Sequence, residues 1–486
     1  MKQRWWWNSR RLARLLATAS ALAMAGSLAW NSVGAQASPG QPSGAGAVLQ
    51  TNLVSDLPGV ADVIDPNLVN AWGISESSGS PFWISDNNAG VATLYSTAVP
   101  PVAILGLVVN IPTPVSATGG TPSGQVFNIA GGPSGVFKVT GVNSSGATVS
   151  ASPAFLFDTE DGTILGWAPG INPTNAIIAV DNSGNNFTNP DPNQQAGAVY
   201  KGLAIATSST PIIASDPNST ALLYAANFRA GTVDVYDGTW TKVSVPGAFT
   251  DPNLPPGYAP FNVQVLGGKL YVTYALQDAT KHDDVGGPHH GVVDVYNLDG
   301  TPGLPSGVRL ISGGALDSPW GLAYAPAGFA GFTAPGGDQV LLVGNFKSGR
   351  IFAYDALIGA QLGTLTDPDG EPISINRLWA LKVGNGKAGG AADAVYFTAG
   401  IFDEAHGLFG SFTTVTSGSP EGPAESQWVT ANKDVVQLDI QQLNADQASG
   451  APAATIRADK RTLIAATVAL TVAEVMFATD TVHDAG

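Results

Sequence analysis

The stretch GVVDVYNLDG at residues 291–300 decides the fold. Alternating valines follow a glycine and end in a tyrosine, and a turn rich in Asn, Asp and Gly comes next, which is typical of a β-strand entering a tight turn. Four other segments repeat this pattern with the same glycine-to-aromatic spacing: GVATLY at 90–95, GTVDVY at 231–236, GRIFAY at 349–354 and GLFGSF at 407–412. A sixth segment, AFLFD at 154–158, keeps the aromatic end without the glycine.

The aromatic residues of these six segments divide the chain into units of similar length. They are spaced by 62, 79, 60, 58 and 58 residues: Tyr95, Phe157, Tyr236, Tyr296, Tyr354 and Phe412. The long interval contains a polar insertion at 181–195, which we interpret as a surface loop. Other strand-like runs precede each glycine, such as FNVQVLGG at 261–268 and KLYVTYAL at 269–276. Four strands repeated six times predict an all-β protein, a six-bladed β-propeller of four-stranded antiparallel blades.

The ends of the repeat indicate how the ring closes. After Phe412 the pattern stops without a clear fourth strand, and a strand-like run at 52–55 lies before the first complete unit. We predict that this N-terminal strand completes the last blade, because a closed ring leaves no unpaired edge at the seam. The propeller domain then runs from 50 to 415.

Composition limits the classes of protein that fit. The chain has 486 residues, of which 44% are hydrophobic and only 12% are charged, and its net charge is −16. A nucleic-acid partner is therefore not expected, because phosphate binding requires clustered Lys and Arg. The absence of cysteine excludes disulfides, thiol nucleophiles and Cys-ligated metal sites.

The first 49 residues predict export. A basic start is followed by an Ala/Leu-rich apolar run, and Ala35-Gln36-Ala37 has the small-x-small pattern of a cleavage site. We expect a signal peptide at 1–37, cleavage before Ser38, a flexible leader at 38–49, and a periplasmic or extracellular location. Ser9-Arg10-Arg11 leaves both the general secretory route and the twin-arginine route open.

The C-terminal segment 416–486 is a polar tail with one apolar, helix-compatible run, 463–478. This run has 16 residues and contains Glu474, so it is short for a membrane span. We expect a helix that docks on the propeller or on a partner, and a membrane-surface helix is the alternative. No transmembrane span is expected in the mature propeller.

Several short motifs resemble a family of uncharacterised exported bacterial proteins. The segments are LVNAWGIS at 68–75, APFNV at 259–263, SPWGLA at 318–323, LWAL at 378–381 and GLFG at 407–410. That family is similar to six-bladed propellers of the NHL and gluconolactonase-like type, and some members carry PEP-type C-terminal sorting signals. The resemblance covers about 50–415 and implies a propeller fold and an exported location, but no established activity. This chain has Pro420-Glu421 where those members have Pro-Glu-Pro, and it has no terminal basic cluster.

The chain contains no G-x-S-x-G, H-E-x-x-H or G-x-x-x-x-G-K-[ST] motif. In a propeller, the starts of the innermost strands and the turns between strands two and three lie on one face, around the central channel. Amide and carboxylate side chains stand at the strand starts: Asn70, Asn262, Asp317 and Asn376. These are oxygen ligands that suit calcium, although Asn and Asp are also ordinary turn residues.

The corresponding turn of the fourth blade is expanded to residues 277–290 and holds three of the five histidines. His282, Asp283 and His289 could reach the channel from this turn, and His406 lies in the matching turn of the sixth blade. Histidine with aspartate is a plausible ligand set for a divalent metal. We therefore predict a divalent-metal site, with calcium favoured over zinc, from these side chains: Asn70, Asn262, Asp317, Asn376, His282, Asp283, His289 and His406.

Two functions remain open at this point. The first is a non-catalytic propeller, expected to be a monomer, that presents one face to a protein, a glycan, a small molecule or the cell envelope. The second is a divalent-metal-dependent hydrolase of the lactonase or phosphotriesterase kind, in which calcium at the channel mouth polarises a carbonyl or phosphoryl oxygen. The absence of a catalytic motif favours the binding module.

Overall fold

A computed structural model describes residues 45–98, 101–132, 135–184 and 197–415, together with residue 455. The predicted signal peptide, the 463–478 run and most of the 181–195 insertion lie outside the described residues. Among the described residues, no helix is both long enough and apolar enough to cross a membrane.

The described part of the chain is almost entirely β-structure. Two 3₁₀ turns lie at Phe329–Gly331 and Pro335–Gly337. The strands are β1 (Val48–Ser55), β2 (Val63–Ile64), β3 (Ala71–Ser75), β4 (Phe82–Asp86), β5 (Val91–Ser96), β6 (Ala103–Asn110), β7 (Pro112–Thr113), β8 (Ser116–Gly119), β9 (Pro122–Phe127), β10 (Val139–Val142), β11 (Thr148–Ala151), β12 (Phe155–Thr159), β13 (Thr163–Trp167), β14 (Ile177–Asp181), β15 (Tyr200–Thr207), β16 (Ala221–Asn227), β17 (Thr232–Asp237), β18 (Lys242–Val243), β19 (Tyr258–Leu266), β20 (Lys269–Leu276), β21 (Val292–Tyr296), β22 (Arg309–Ser312), β23 (Pro319–Tyr324), β24 (Val340–Asn345), β25 (Ile351–Asp355), β26 (Gln361–Thr364), β27 (Leu378–Val383), β28 (Val395–Ala399) and β29 (Leu408–Thr414).

Six sheets form the blades, and the predicted six-bladed propeller is confirmed. From the innermost strand outward they are blade 1 (β3-β4-β5-β6), blade 2 (β9-β12-β13-β14), blade 3 (β15-β16-β17-β18), blade 4 (β19-β20-β21-β22), blade 5 (β23-β24-β25-β26) and blade 6 (β27-β28-β29-β1). All pairings within these four-strand sets are antiparallel, and β2 adds a short parallel strand outside β1. The hairpins β7-β8 and β10-β11 are additions to this plan.

The predicted closing strand is confirmed as well. The first strand pairs with β29 from Val48 opposite Thr414 to Ser55 opposite Leu408, so residues from both ends of the propeller share one sheet. The hydroxyl of Ser55 also donates to the carbonyl of Gly407. The chain just before this strand differs from the flexible leader expected at 38–49. The Gly46 N–H donates to the carbonyl of Ala330, and Val48 begins a strand, so the described residues 45–49 are held by backbone hydrogen bonds.

The repeated aromatic residue has a common role in five blades. Its side chain is buried on the third strand in each case: Tyr95, Tyr236, Tyr296, Tyr354 and Phe412. Side chains on both faces of the third strand pack against neighbouring blades, which is why the pattern reads as a continuous apolar run. The turn after it requires a left-handed residue in blade 4, and Gly300 supplies this with a φ of 84°.

The alignment of blade 2 is the exception. Phe157 lies on β12, which is the second strand of its blade and not the third, because β12 pairs with both β9 and β13. The turn 158–162 therefore joins strands two and three. The hairpin β10-β11 separates the first two strands in sequence, so the order of runs along the chain misled the alignment. This correction moves residues 160–162 to the face that carries the channel mouth.

Candidate functional site at the propeller mouth

The starts of the six innermost strands and the turns between strands two and three meet at one end of the channel, which we call the mouth. One backbone contact repeats around it. The backbone N–H of the first residue after strand two donates to the carbonyl of a residue at the start of the inner strand: Asn87 to Asn70, Glu160 to Thr121, Phe228 to Val199, Phe346 to Ser318, and Gly400 to Arg377. This contact aligns blades 1, 2, 3, 5 and 6, so equivalent side chains can be compared directly. In blade 4 the first residue after strand two, Gln277, donates instead to the carbonyl of Gly257.

The floor of the mouth is aromatic on four of its six sides. Trp72, Phe261, Trp320 and Trp379 occupy equivalent inner-strand positions in blades 1, 4, 5 and 6, and all four are buried. Trp72 stacks on Trp379 with ring centroids 3.6 Å apart. We call these four residues, with Phe228 and Phe346, the aromatic plug.

Below the plug the channel is nearly filled. Gly202 and Asn262 follow the plug position in blades 3 and 4, and a Cβ at Gly202 would overlap the Asn262 side chain. The Asn262 amide donates to the carbonyl of Trp320 at 2.8 Å. A cavity of about 20 Å³, lined by residues of all six inner strands, remains there and has room for about one water molecule. A larger ligand therefore has to bind above the plug.

Blade 3 places a lysine where the other blades place an aromatic ring. The Lys201 side chain is only 2% exposed, and its ammonium pairs with Glu160 of blade 2 and lies 3.2 Å from Asp283 of blade 4. It also lies 5.2 Å from the ring centroid of Trp72. Burial alone would lower the pKa of Lys201, but the charges of Glu160, Asp283 and Glu404 outweigh burial and raise it. Lys201 is therefore a buried cation that stays charged.

Amide side chains continue this charge cluster around the mouth. The Asn87 amide donates to Glu160 at 2.9 Å. The Asn70 amide lies 3.4 Å from the Asn87 oxygen and 3.2 Å from Glu404. The resulting chain, which we call the polar belt, takes residues from five blades: Glu404, Asn70, Asn87, Glu160, Lys201 and Asp283. It lies directly above the aromatic plug.

The carboxylates of the belt have different proton affinities. Burial and the nearby charge of Glu160 raise the pKa of the half-buried Glu404. The hydrogen bond with His282, whose Nδ1 lies 2.9 Å from Asp283, and the charge of Lys201 lower the pKa of Asp283. Asp283 is 66% exposed. The mouth thus offers one fixed negative charge and one carboxyl that takes up protons more readily than usual.

Backbone strain is concentrated at the mouth. Twelve described residues other than glycine have positive φ, and eight of them lie in the loops that surround the mouth: Asn70, Lys281, His289, Ser318, Arg377, Phe402, Asp403 and Glu404. Three are consecutive, and the last of them, Glu404, faces the belt through Asn70. Strain of this kind persists where the surroundings impose it, often at ligand sites.

Three predicted metal ligands belong to the belt or touch it, namely Asn70, His282 and Asp283. Among the described residues, one group of three has donor atoms close enough for a metal: Glu160, His282 and Asp283, within 4.8 Å of one another. The Lys201 ammonium contacts both carboxylates of this group. A divalent ion there would have to share those oxygens with a buried lysine.

The other predicted ligands are held in separate local contacts. Asn262 lies below the plug. Asp317 accepts from the Gly287 N–H at 2.7 Å, and burial and the charge of Asp284 raise its pKa. Asn376 accepts from the backbone N–H of Asp403. The structure does not bring these three side chains together with His282 and Asp283.

The remaining histidines are also engaged locally. His289 Nδ1 lies 2.6 Å from the carbonyl of Gly314. His406 Nδ1 lies 2.7 Å from Asp56, which also accepts from the Gly407 N–H, so this histidine contacts the seam near the closing strand. The predicted metal site stays a prediction, and its eight residues form several small groups in place of one.

Sequence reasoning missed Glu160 and Lys201. Glu160 was missed because the turn that contains it was assigned to the wrong pair of strands in blade 2. Lys201 had a usable signal, because AVYKGL at 198–203 aligns with VNAWGI, DSPWGL and NRLWAL, and lysine then stands at the tryptophan position. A charged residue in a buried aromatic position breaks the local rule, and such breaks are expected at functional sites.

The fold and the mouth define a closed six-bladed propeller with a polar belt above a blocked channel. Comparison with known proteins assigns the chain to a family. The chain is 30% identical over 369 residues to an uncharacterized protein of Acanthamoeba polyphaga mimivirus, covering 74% of this chain and 84% of the relative. A second uncharacterized protein of that virus is 29% identical over 368 residues, covering 74% of this chain and 78% of the relative. The chain belongs to the family of these uncharacterized proteins.

No family model matches the chain. The resemblance to exported bacterial proteins with sorting signals therefore stays a prediction. Similar solved structures include an α-L-arabinofuranosidase of Fusarium graminearum, with 10% identity, a TM-score of 0.40 and coverage of 76% of this chain and 98% of that one. Another is the periplasmic gluconolactonase of Pseudomonas aeruginosa, with 13% identity, a TM-score of 0.33 and coverage of 63% and 86%. Similarities at this level carry no argument about function.

Proposed function

We propose that the protein is a binding module that takes a hydroxyl-rich ligand, such as the end of a glycan, at the mouth of the propeller. The polar belt carries this proposal. It brings carboxylates and side-chain amides from separate blades together above the plug, and such groups accept from and donate to hydroxyls. Asn70, Asn87 and Lys201 form its buried part, whereas Asp283 and Glu404 reach solvent. The blocked channel below favours a ligand that binds at the surface and does not pass through.

The energetics of Lys201 support a functional origin of the belt. Removing an ammonium and a carboxylate from water costs several kcal/mol per ion, so a buried ion pair is weak evidence for stability. An aromatic ring at this position would complete the plug, as it does in four other blades. The lysine and its partners are therefore better explained by what the mouth binds than by what the fold needs.

The test is a titration with neutral oligosaccharides, followed by calorimetry and by tryptophan fluorescence, because Trp72 and Trp379 lie under the belt. Asn88 is exposed beside Glu404 and donates to its carbonyl at 2.6 Å. Asn88→Ala should weaken binding about tenfold, the value of one or two hydrogen bonds. Leu357→Ser is the matched control, since Leu357 is an exposed residue of the turn between β25 and β26, on the opposite face. Equal losses in both variants would contradict a site at the mouth.

A divalent-metal-dependent hydrolase is the second candidate. The close donor atoms of Glu160, His282 and Asp283 favour it, and the Lys201 ammonium opposes it by holding the same carboxylates. Calcium and zinc titrations of the wild-type protein and of Glu160→Gln decide the question. Binding that Glu160→Gln abolishes, with hydrolysis of lactone or ester substrates that a chelator stops, would favour the hydrolase over the binding module.

We also propose that this binding takes place after export, in the periplasm or outside the cell. The basic, apolar and small-residue pattern of residues 1–37 supports export. Expression with this segment should yield a secreted protein whose first residue is Ser38. A protein retained in the cytoplasm with its first 37 residues intact would overturn the proposal.

A further inference from the structure

The charges at the mouth do not balance. Three carboxylates of the belt, Glu160, Asp283 and Glu404, stand against one ammonium, that of Lys201, so two negative charges remain. Lys347 and Arg377 on the rim each have a carboxylate partner of their own, whereas the charge of Arg229 in blade 3 acts on Asp278 and Asp283 and offsets part of the excess. Lys347 lies 3.2 Å from Asp284, and Arg377 lies 2.9 Å from Asp403.

The carboxylates of the belt already bind one organic cation, the ammonium of the Lys201 side chain. Its ammonium is held charged between carboxylates although it is buried, and it lies over the rings of Trp72 and Phe228. Carboxylates around an ammonium above aromatic faces form a favourable environment for a primary amine. A second amine approaching from solvent meets the outer side of this set, where Asp283 is exposed.

A separate observation points to a ligand with hydrogen-bond acceptors. The indole N–H groups of Trp320 and Trp379 donate to the carbonyl of Lys201 and to the side chain of Asn70. The indole N–H of Trp72 is buried without an acceptor among the described residues. A buried donor without a partner is costly, and a water held between the plug and a ligand would satisfy it.

We infer that the ligand is an amino sugar, a ring that carries hydroxyls and one protonated primary amine. This inference rests on the proposed binding function and names its ligand class. The ammonium binds the carboxylates of Asp283 and Glu404, and the hydroxyls bind the amides beside them, including exposed Asn88. An ammonium suits the outer side better than calcium does, because calcium requires six to eight oxygens and Lys201 already holds the inner ones.

The test compares four probes by calorimetry on the full chain: glucosamine oligomers, their N-acetylated counterparts, neutral glucose oligomers and spermidine. Glucosamine oligomers should bind about tenfold or more tightly than the N-acetylated ones, because acetylation removes the charge from the amine. Added salt should weaken their binding, since the attraction is between charges at a half-exposed surface.

Variants assign the charge to named residues. Asp283→Asn and Glu404→Gln should each bring the ratio of the affinities for free-amine and N-acetylated oligomers close to one, whatever their effect on the binding of both. Asp403→Asn is the matched control, because Asp403 is the neighbour of Glu404 but pairs with Arg377 on the rim. Thermal melts of all three variants verify that they fold. Binding of the amine should weaken as the pH falls, because protonation of Glu404 removes its charge.

The outcomes separate the two proposals. Equal affinity for free and N-acetylated oligomers overturns the amino sugar and leaves the glycan-binding function standing. Spermidine binding as tightly as the glucosamine oligomers also overturns it, because the hydroxyls then contribute nothing. Failure of every oligosaccharide to bind overturns both proposals together.

Discussion

The ring contains two unequal sectors: four blades with an aromatic plug position, which we call the aromatic half, and two blades with a polar one, which we call the polar half. Blades 1, 4, 5 and 6 place an aromatic residue at the plug position of the inner strand, whereas blades 2 and 3 place Ser123 and Lys201 there. The aromatic half buries large rings against one another at little desolvation cost. The polar half buries a charge and a hydroxyl that need partners from neighbouring blades. The comparison indicates that the repeated aromatic positions stabilise the fold, and that the blades that depart from the repeat form the surface that can bind a ligand.

The strongest test of the aromatic half is Trp379→Ala. Trp379 stacks on Trp72 and on Phe346, with centroids 3.6 Å and 3.9 Å apart, and its indole N–H donates to Asn70. Removing the ring leaves a cavity at the centre, so the free energy of unfolding should fall by about 3–5 kcal/mol in denaturant titrations. Trp379→Phe keeps the stacking and should lose much less. A loss below about 1 kcal/mol in the alanine variant would contradict the stabilising role assigned to the plug.

In the polar half, a single substitution in the ion pair should destabilise the protein, whereas replacing both charged residues together should not. Lys201→Met leaves the carboxylate of Glu160 buried without its cation and should cost about 3 kcal/mol. The double variant Lys201→Met, Glu160→Gln removes both charges and should be as stable as the wild type or more stable. Denaturant titrations of the four proteins of this cycle measure the coupling. A double variant less stable than either single variant would show that the ion pair stabilises the fold, and the contrast between the halves would be lost.

The sequence predicts the aromatic half better than the polar half, for a physical reason. The third strand of most blades is buried on both faces and ends in a tight turn, so its glycine, valines and tyrosine recur with fixed local spacing. Blade 2 escapes this pattern because the β10-β11 hairpin lies between its first two strands. In addition, its second strand carries an aromatic residue followed by Asp, Phe157-Asp158, as the third strands β17 and β25 do. The six blades and the closing strand were predictable, and the position of Glu160 was not.

The candidate site was harder to predict from the sequence than the fold, because its residues are far apart in the chain. Lys201 meets Glu160 and Asp283, which lie 41 and 82 positions away on other blades. No local period gives the direction in which a side chain leaves a turn, so His289 and His406 looked equivalent to His282 as ligands. In the structure each of them is held by a neighbouring carbonyl or carboxylate.

Asp158 of the polar half should contribute to the pH dependence of stability. Asp158 is fully buried and accepts from the side chain of Ser123 and the N–H of Gly124. Burial raises its pKa to about 7. The folded state therefore binds this proton more tightly than the unfolded state, so stability should fall as the pH rises from about 4 to about 7 and then level off.

The expected loss from this group between pH 5 and pH 8 is about 2–3 kcal/mol. Melts of the wild type and of Asp158→Asn across this range measure it, and the variant should show a smaller slope. Some slope should remain, because burial also raises the pKa of Asp86 in blade 1. Identical slopes of stability against pH in the two proteins would show that Asp158 does not cause the pH dependence.

The smallest change in the free energy of unfolding is expected at the rim, because the packing of both halves is independent of the charged residues there. Asp403 is 79% exposed and pairs with Arg377, whose guanidinium lies 5.0 Å from the ring centroid of Phe346. Exposed ion pairs contribute little because water and salt screen them, so Asp403→Asn should change the free energy of unfolding by less than about 0.5 kcal/mol. The contact of Arg377 with the plug does not require Asp403. A loss above about 1 kcal/mol would show that this pair holds Arg377 against the plug, and the rim would then belong to the aromatic half.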